Sequence, residues 1–226
     1  MKINVNKIPL YSKDLPPRER IMGNFVRKNI TPLFLHTPLS GNQVTLLSAF
    51  FALIGAIFMT LGNYWYSLLG ILLFTLFIVL DYVDGQIARY RKEQSLAGEY
   101  LDSRFHHIVE PIFFICAGIG AFNISGSIIY LSSGIAASTF YLMRQLMKVP
   151  GKVNIRRAYK EKSKSGKLNY YLFEFLRINQ PGSLLFFAII LNITGPVLVI
   201  YAVIFLLNLI LSFYKTYSGL KAENEK

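Results

Sequence analysis
The chain is poor in cysteine and tryptophan, with one of each, and it carries little charge where its apolar residues are. Cys116 stands alone, which excludes a disulfide framework and a cysteine-held metal cluster and makes it a packing residue. Charged residues make up 16% of the 226, against roughly 25% in an average soluble domain. No Asp, Glu, Lys or Arg occurs at 29–80, 111–143 or 178–214. Such runs exclude an ordinary water-soluble globule. No internal repeat and no low-complexity tract stands out. A cleavable signal peptide is not expected, because the first apolar run follows a basic, polar N-terminal segment.

What the chain does have is apolar bulk: 53% of its residues are hydrophobic and 15% aromatic. A membrane-spanning helix needs about 20 apolar residues, so each charge-free run has room for most or all of a two-helix hairpin. Turn-forming residues fall where the hairpins should reverse, at Gly62-Asn63, from Asn123 to Gly126 and from Asn192 to Pro196. These breaks predict six spans, near 43–61, 64–88, 98–122, 126–147, 180–193 and 196–216. The expected organisation is all-α: a cytoplasmic or interfacial segment 1–42, a six-helix membrane domain 43–217 and a polar tail 218–226. Residues from Arg20 to His36 mix Ile21, Phe25 and Leu33 with Arg27 and Lys28, the pattern of an amphipathic helix in the headgroup layer, with Pro32 and Pro38 as breaks. The segment 148–167 reads as a basic loop and 169–177 as a short interfacial helix.

Basic residues set the expected orientation. Seven precede the first span, three follow the second, ten run from Arg144 to Arg177, three close the chain, and the remaining one is Arg104. The three opposite connections have none. Both termini should therefore face the cytoplasm. The net charge of +12 is then accounted for by this bias and by anionic lipid headgroups, and it implies no nucleic-acid partner.

The remaining signal is DYVDGQIARYRKEQSLAGEYLDSRFHH, residues 81–107. Carboxylates at the edge of an apolar segment are costly unless they bind a cation or handle a proton. On a helix, Asp81, Asp84, Gly85 and Ala88 share one face, as do Gly98, Asp102, His106 and Glu110 on the next span. Two antiparallel helices joined by a short turn would oppose these faces and form an acidic pocket at the cytoplasmic mouth. Oxygen donors without cysteine favour a hard cation, Mg²⁺ or Mn²⁺, whose remaining ligands are commonly water or substrate phosphate.

The same residues resemble the signature of the CDP-alcohol phosphotransferases, D-x-x-D-G-x-x-A-R followed by G-x-x-x-D-x-x-x-D. Asp81, Asp84, Gly85, Ala88, Arg89, Gly98 and Asp102 match, and His106 stands where the last Asp belongs. Six spans with cytoplasmic ends and an interfacial N-terminal helix are similar to the family as well. The resemblance implies transfer of a substituted phosphate from a CDP-alcohol, such as CDP-diacylglycerol, to a hydroxyl acceptor, with release of CMP, in phospholipid or polar-lipid synthesis. It implies Asp81, Asp84, Asp102 and His106 around one or two divalent ions. Asn42, Thr45, Gly85, Arg89 and Ser95 would lie near the CDP part, with Ala88 and Gly98 making room. Family members are commonly dimeric, so a homodimer is an expected arrangement.

His106 is the departure. The family's last Asp touches a metal and is held to take the proton of the incoming hydroxyl. An imidazole titrates nearer neutral pH than a carboxylate, so it suits the second task at least as well and the first less well. Glu110, one turn on, could hold the ring in its working tautomer or simply mark a kink before Pro111. Arg144 and Lys148 could bind an acceptor phosphate or only reflect the positive-inside bias. Two other readings stay open: a non-catalytic CDP-substrate-binding relative, and a transporter, for which acidic groups should spread through the membrane depth.

Overall fold
The computed structural model describes residue 8, residues 17–147 and residues 181–224. Lys148, the basic loop at 148–167 and the interfacial helix expected at 169–177 lie outside these residues. The described part is helical: α1 Pro17–Asn29, α2 Thr31–Leu35, α3 Gly41–Thr60, α4 Tyr64–Arg91, α5 Leu96–Ser125, α6 Ile128–Leu146, α7 Pro181–Ile190 and α8 Thr194–Asn224.

Side-chain caps define the ends that matter for the site. Ser40 begins α3 with a capping box: its hydroxyl accepts from the Gln43 amide, and the Gln43 side chain accepts from the Ser40 amide. Asn63 caps α4 by accepting from the Trp65 amide at 2.9 Å. That helix runs three residues past its expected end and stops where Lys92 turns left-handed (φ 60°), letting the Glu93 amide reach back to the Ala88 carbonyl at 2.9 Å. Ser95 then caps α5 by accepting from the Gly98 amide at 3.1 Å. The turn between α4 and α5 is thus closed by a backbone bond at one end and by a side-chain cap at the other.

Among the described residues, four helices are long and apolar enough to cross a membrane: α3, α4, α5 and the Thr194–Ser218 part of α8. Their outer faces expose Leu46, Phe50, Ile57, Trp65, Leu72 and Ile200, a surface suited to acyl chains rather than water. The chain is accordingly an integral membrane protein. Helices also occur at the two other expected positions. However, α6 is diluted by Ser132, Ser133, Ser138, Thr139, Arg144 and Gln145, and α7 has ten residues. In the N-terminal region the expected single helix is two, α1 and α2, with the break at Ile30 and Pro32 in the first turn of α2. Val26 and Thr31 are buried, whereas Ile21, Phe25 and Leu33 face outward.

Small residues let the helices approach closely. A Cβ on Gly55 of α3 would fall 2.7 Å from the Gly70 carbonyl oxygen of α4, and one on Gly134 of α6 would fall 2.7 Å from the Phe114 carbonyl oxygen of α5. Between them lies an aromatic core. Phe74 and Phe113 have ring centroids 4.2 Å apart, and Phe114, Tyr141, Tyr201 and Phe205 join α5, α6 and α8. Arg91 ties the loop before α3 to the end of α4, donating to the carbonyls of Leu39 at 2.6 Å and Thr37 at 2.8 Å. The start of α3, the end of α4 and the start of α5 are thereby gathered at one end of the bundle.

Candidate active site
Those three helix ends enclose a cleft of about 170 Å³. All seven residues expected near the nucleotide line it: Asn42, Thr45, Gly85, Ala88, Arg89, Ser95 and Gly98, together with Asp84 and Asp102. Gly41, Glu93, Gln94 and Glu99 line it too and were not singled out from the sequence. Glu93 and Gln94 could have been suspected, because the turn joining the two halves of the motif must border any pocket between them. Gly41 had no such signal; its need is steric, since a Cβ there would meet the Asp84 carbonyl oxygen at 3.0 Å and the Ala88 Cβ at 3.2 Å. At Gly98 a Cβ would lie 2.8 Å from Asn42 Oδ1, so this glycine makes room first for the Asn42 side chain. The Arg89 guanidinium folds back over Gly85, where a Cβ would be 3.4 Å from its Nη2.

The carboxylates fall into two environments. Asp84 is buried, and its Oδ2 accepts a hydrogen bond of 2.5 Å from Thr45 on α3. Asp81, Asp102 and His106 form a separate, partly open group whose ligating atoms all lie within 4.8 Å of one another. Asp102 belongs to both, lining the cleft and completing the group. Asp84, expected among the ligands, is not in this three-residue cluster. Two carboxylates and an imidazole at this spacing fit a divalent cation: the oxygens suit Mg²⁺ or Mn²⁺, and the imidazole favours Mn²⁺ of the two.

His106 is held from both sides. Its Nδ1 lies 2.9 Å from Glu110 Oε1, and its Nε2 lies 2.7 Å from Asp81 Oδ1 and 3.8 Å from Asp102 Oδ1. The ring packs on Phe77 with centroids 4.9 Å apart. Glu110 is buried, and its second oxygen accepts a hydrogen bond from the Tyr141 hydroxyl on α6. Sequence reasoning placed Glu110 beside His106 by helical spacing. It missed Tyr141, because a tyrosine in an apolar helix reads as packing by default. Arg144, the other residue weighed for an acceptor phosphate, lies in the last turn of α6.

The cleft has features that suit an anionic nucleotide. The first turns of α3 and α5 both border it, bringing the positive ends of two helix dipoles, and Arg89 adds a full charge. Beside it stands the Asp81–Asp102–His106 group. No curated protein matches the chain. The family model for CDP-alcohol phosphatidyltransferases matches residues 39–214, from the N-terminus of α3 into α8 and over every residue of the cleft. The match spans most of the chain, which therefore belongs to the CDP-alcohol phosphatidyltransferase family of transferases that move phosphorus-containing groups.

Proposed function
We propose that the chain transfers a substituted phosphate from a CDP-alcohol, such as CDP-diacylglycerol, to a hydroxyl acceptor in phospholipid or polar-lipid synthesis. The observation that carries this reading is the junction at Asp102, where the cleft meets the Asp81–Asp102–His106 group. The acceptor oxygen forms a bond to the distal phosphorus of the CDP-alcohol, the phosphoanhydride bond breaks, and CMP leaves with the electron pair. Asn42, Arg89 and Ser95 hold the nucleotide phosphates and ribose, Gly85, Ala88 and Gly98 give them space, and Thr45 keeps Asp84 oriented.

Asp81 and Asp102 would hold a divalent ion, with Asp84 behind them and His106 beside it. A bound ion would neutralise the pyrophosphate and stabilise departing CMP. His106 takes the proton of the attacking hydroxyl. In that step Nδ1 keeps its N–H on Glu110, and Nε2, which faces Asp81 and Asp102, receives the proton once an ion engages the Asp81 carboxylate. Arg144 and Lys148 would draw a phosphate-bearing acceptor to the mouth.

The distribution of Lys and Arg supports six spans, residues 43–217 as one membrane domain, and a site and termini on the cytoplasmic side. The helices at 17–35 would lie in the headgroup layer, with Ile21, Phe25 and Leu33 toward the acyl chains. A homodimer belongs to the same reading, and a native mass measured in detergent counts its chains.

The test is purified protein with Mn²⁺ or Mg²⁺, a panel of CDP-alcohols and acceptors, and CMP release as the readout. Release that needs both an acceptor and a divalent ion is expected, and chelation should abolish it. Tight CDP-alcohol binding without release would identify a non-catalytic relative instead. That second reading is favoured by one observation, His106 in the position of the motif's last Asp.

A further inference from the structure
We propose that Tyr141 is a positioning residue for the transfer, holding the Glu110 carboxylate so that Glu110 fixes the imidazole of His106. The inference rests on the reading of His106 as the proton acceptor. It begins with the environment of Glu110. A carboxylate that is 4% exposed is costly unless each oxygen has a donor. One oxygen takes the His106 Nδ1–H at 2.9 Å and the other takes the Tyr141 hydroxyl. These two donors come from different helices, α5 and α6, so the carboxylate orientation depends on how those helices meet.

Tyr141 is itself fixed. Its ring is 4% exposed, with Phe114 and Phe205 centroids at 6.5 and 5.6 Å. The phenol has one proton to donate, and Glu110 takes it. The chain Tyr141–Glu110–His106–Asp81 then crosses α6, α5 and α4. Without the hydroxyl, the outer oxygen of Glu110 loses its donor in a place with little water. The carboxylate then turns to find another partner, and the Nδ1–H bond that orients His106 goes with it. Neither Tyr141 nor Glu110 lines the cleft, so substrate affinity should be spared.

Tyr141→Phe isolates the claim, because it keeps the ring contacts and removes only the hydroxyl. Its kcat for CMP release should fall about 10- to 100-fold, in line with the loss of other residues that orient a working histidine, with KM for the CDP-alcohol unchanged within about twofold. Protein carrying ¹⁵N-histidine has three labelled residues, and the His106 resonances are those missing from His106→Asp. Tyr141→Phe should shift the His106 Nδ1 resonance, and Glu110→Gln, prepared in parallel, should shift the same one. An unchanged kcat, a rise in KM matching the fall in kcat, or an unmoved resonance would overturn the proposal. If the unaltered protein releases no CMP from any CDP-alcohol, the functional reading fails, and the resonance alone decides whether Tyr141 orients His106.

Discussion

Asp84 differs from the other aspartates of the motif in what surrounds it. It is buried and takes the Thr45 hydroxyl at 2.5 Å, whereas Asp81 and Asp102 stay partly open beside His106. Thr45→Val removes that donor without changing shape and leaves a buried carboxylate short of a partner. The expected cost is about 1–3 kcal/mol of stability. Thermal unfolding of the purified protein should show it, Thr45→Ser should restore it, and a Thr45→Val protein as stable as the parent would contradict this role. The motif placed Asp81, Asp102, His106 and Glu110 together because helical spacing is fixed by the backbone. Thr45 is 39 residues from Asp84 and Tyr141 is 31 from Glu110, so their contacts depend on packing that no local pattern encodes.

Among the elements, α5 carries the most consequence. Its first turn borders the cleft, its second and third bear Asp102 and His106, and its middle packs against α6 through Gly118 and Gly134. A Cβ at Gly134 would sit 2.7 Å from the Phe114 carbonyl oxygen, so a larger residue must push α6 away and carry Tyr141 from Glu110. Gly134→Val should cost about 1–3 kcal/mol, the usual penalty of overpacking. It should also lower CMP release in step with Tyr141→Phe; full activity with undiminished melting temperature would contradict the close packing. The caps were only partly legible. Ser95 before Gly98 and Ser40 before Gln43 have the right spacing, yet the left-handed Lys92 that extends α4 to Arg91 could not be read, because lysine has no preference for that conformation. Pro32 was expected to interrupt a helix and instead sits in the first turn of one, where its missing amide costs nothing.

For the whole molecule, the charge-free runs gave the hairpins and their turns, because a bilayer penalises charge strongly enough to write itself into composition. They say less about which helices cross. α3, α4, α5 and α8 qualify by length and apolarity, while α6 keeps serines that its neighbours bury, Ser133 and Ser138. The orientation is testable because Cys116 is the sole cysteine. In a Cys116→Ser background, cysteines placed one at a time at Lys92 and Gly126 should label from opposite sides of sealed vesicles. A membrane-impermeant maleimide should reach position 92 from the cytoplasmic side only. Labelling of both positions from one side would refute the proposed topology.

The central claim is that His106 moves the proton in a CDP-alcohol transfer site, and its most direct test pairs turnover with binding in His106→Ala. CMP release should fall by about 10²- to 10⁴-fold, the range expected when a general base is removed, while CDP-alcohol affinity in the Asn42–Arg89–Ser95 cleft changes little. Turnover retained at the level of the unaltered protein would contradict the account.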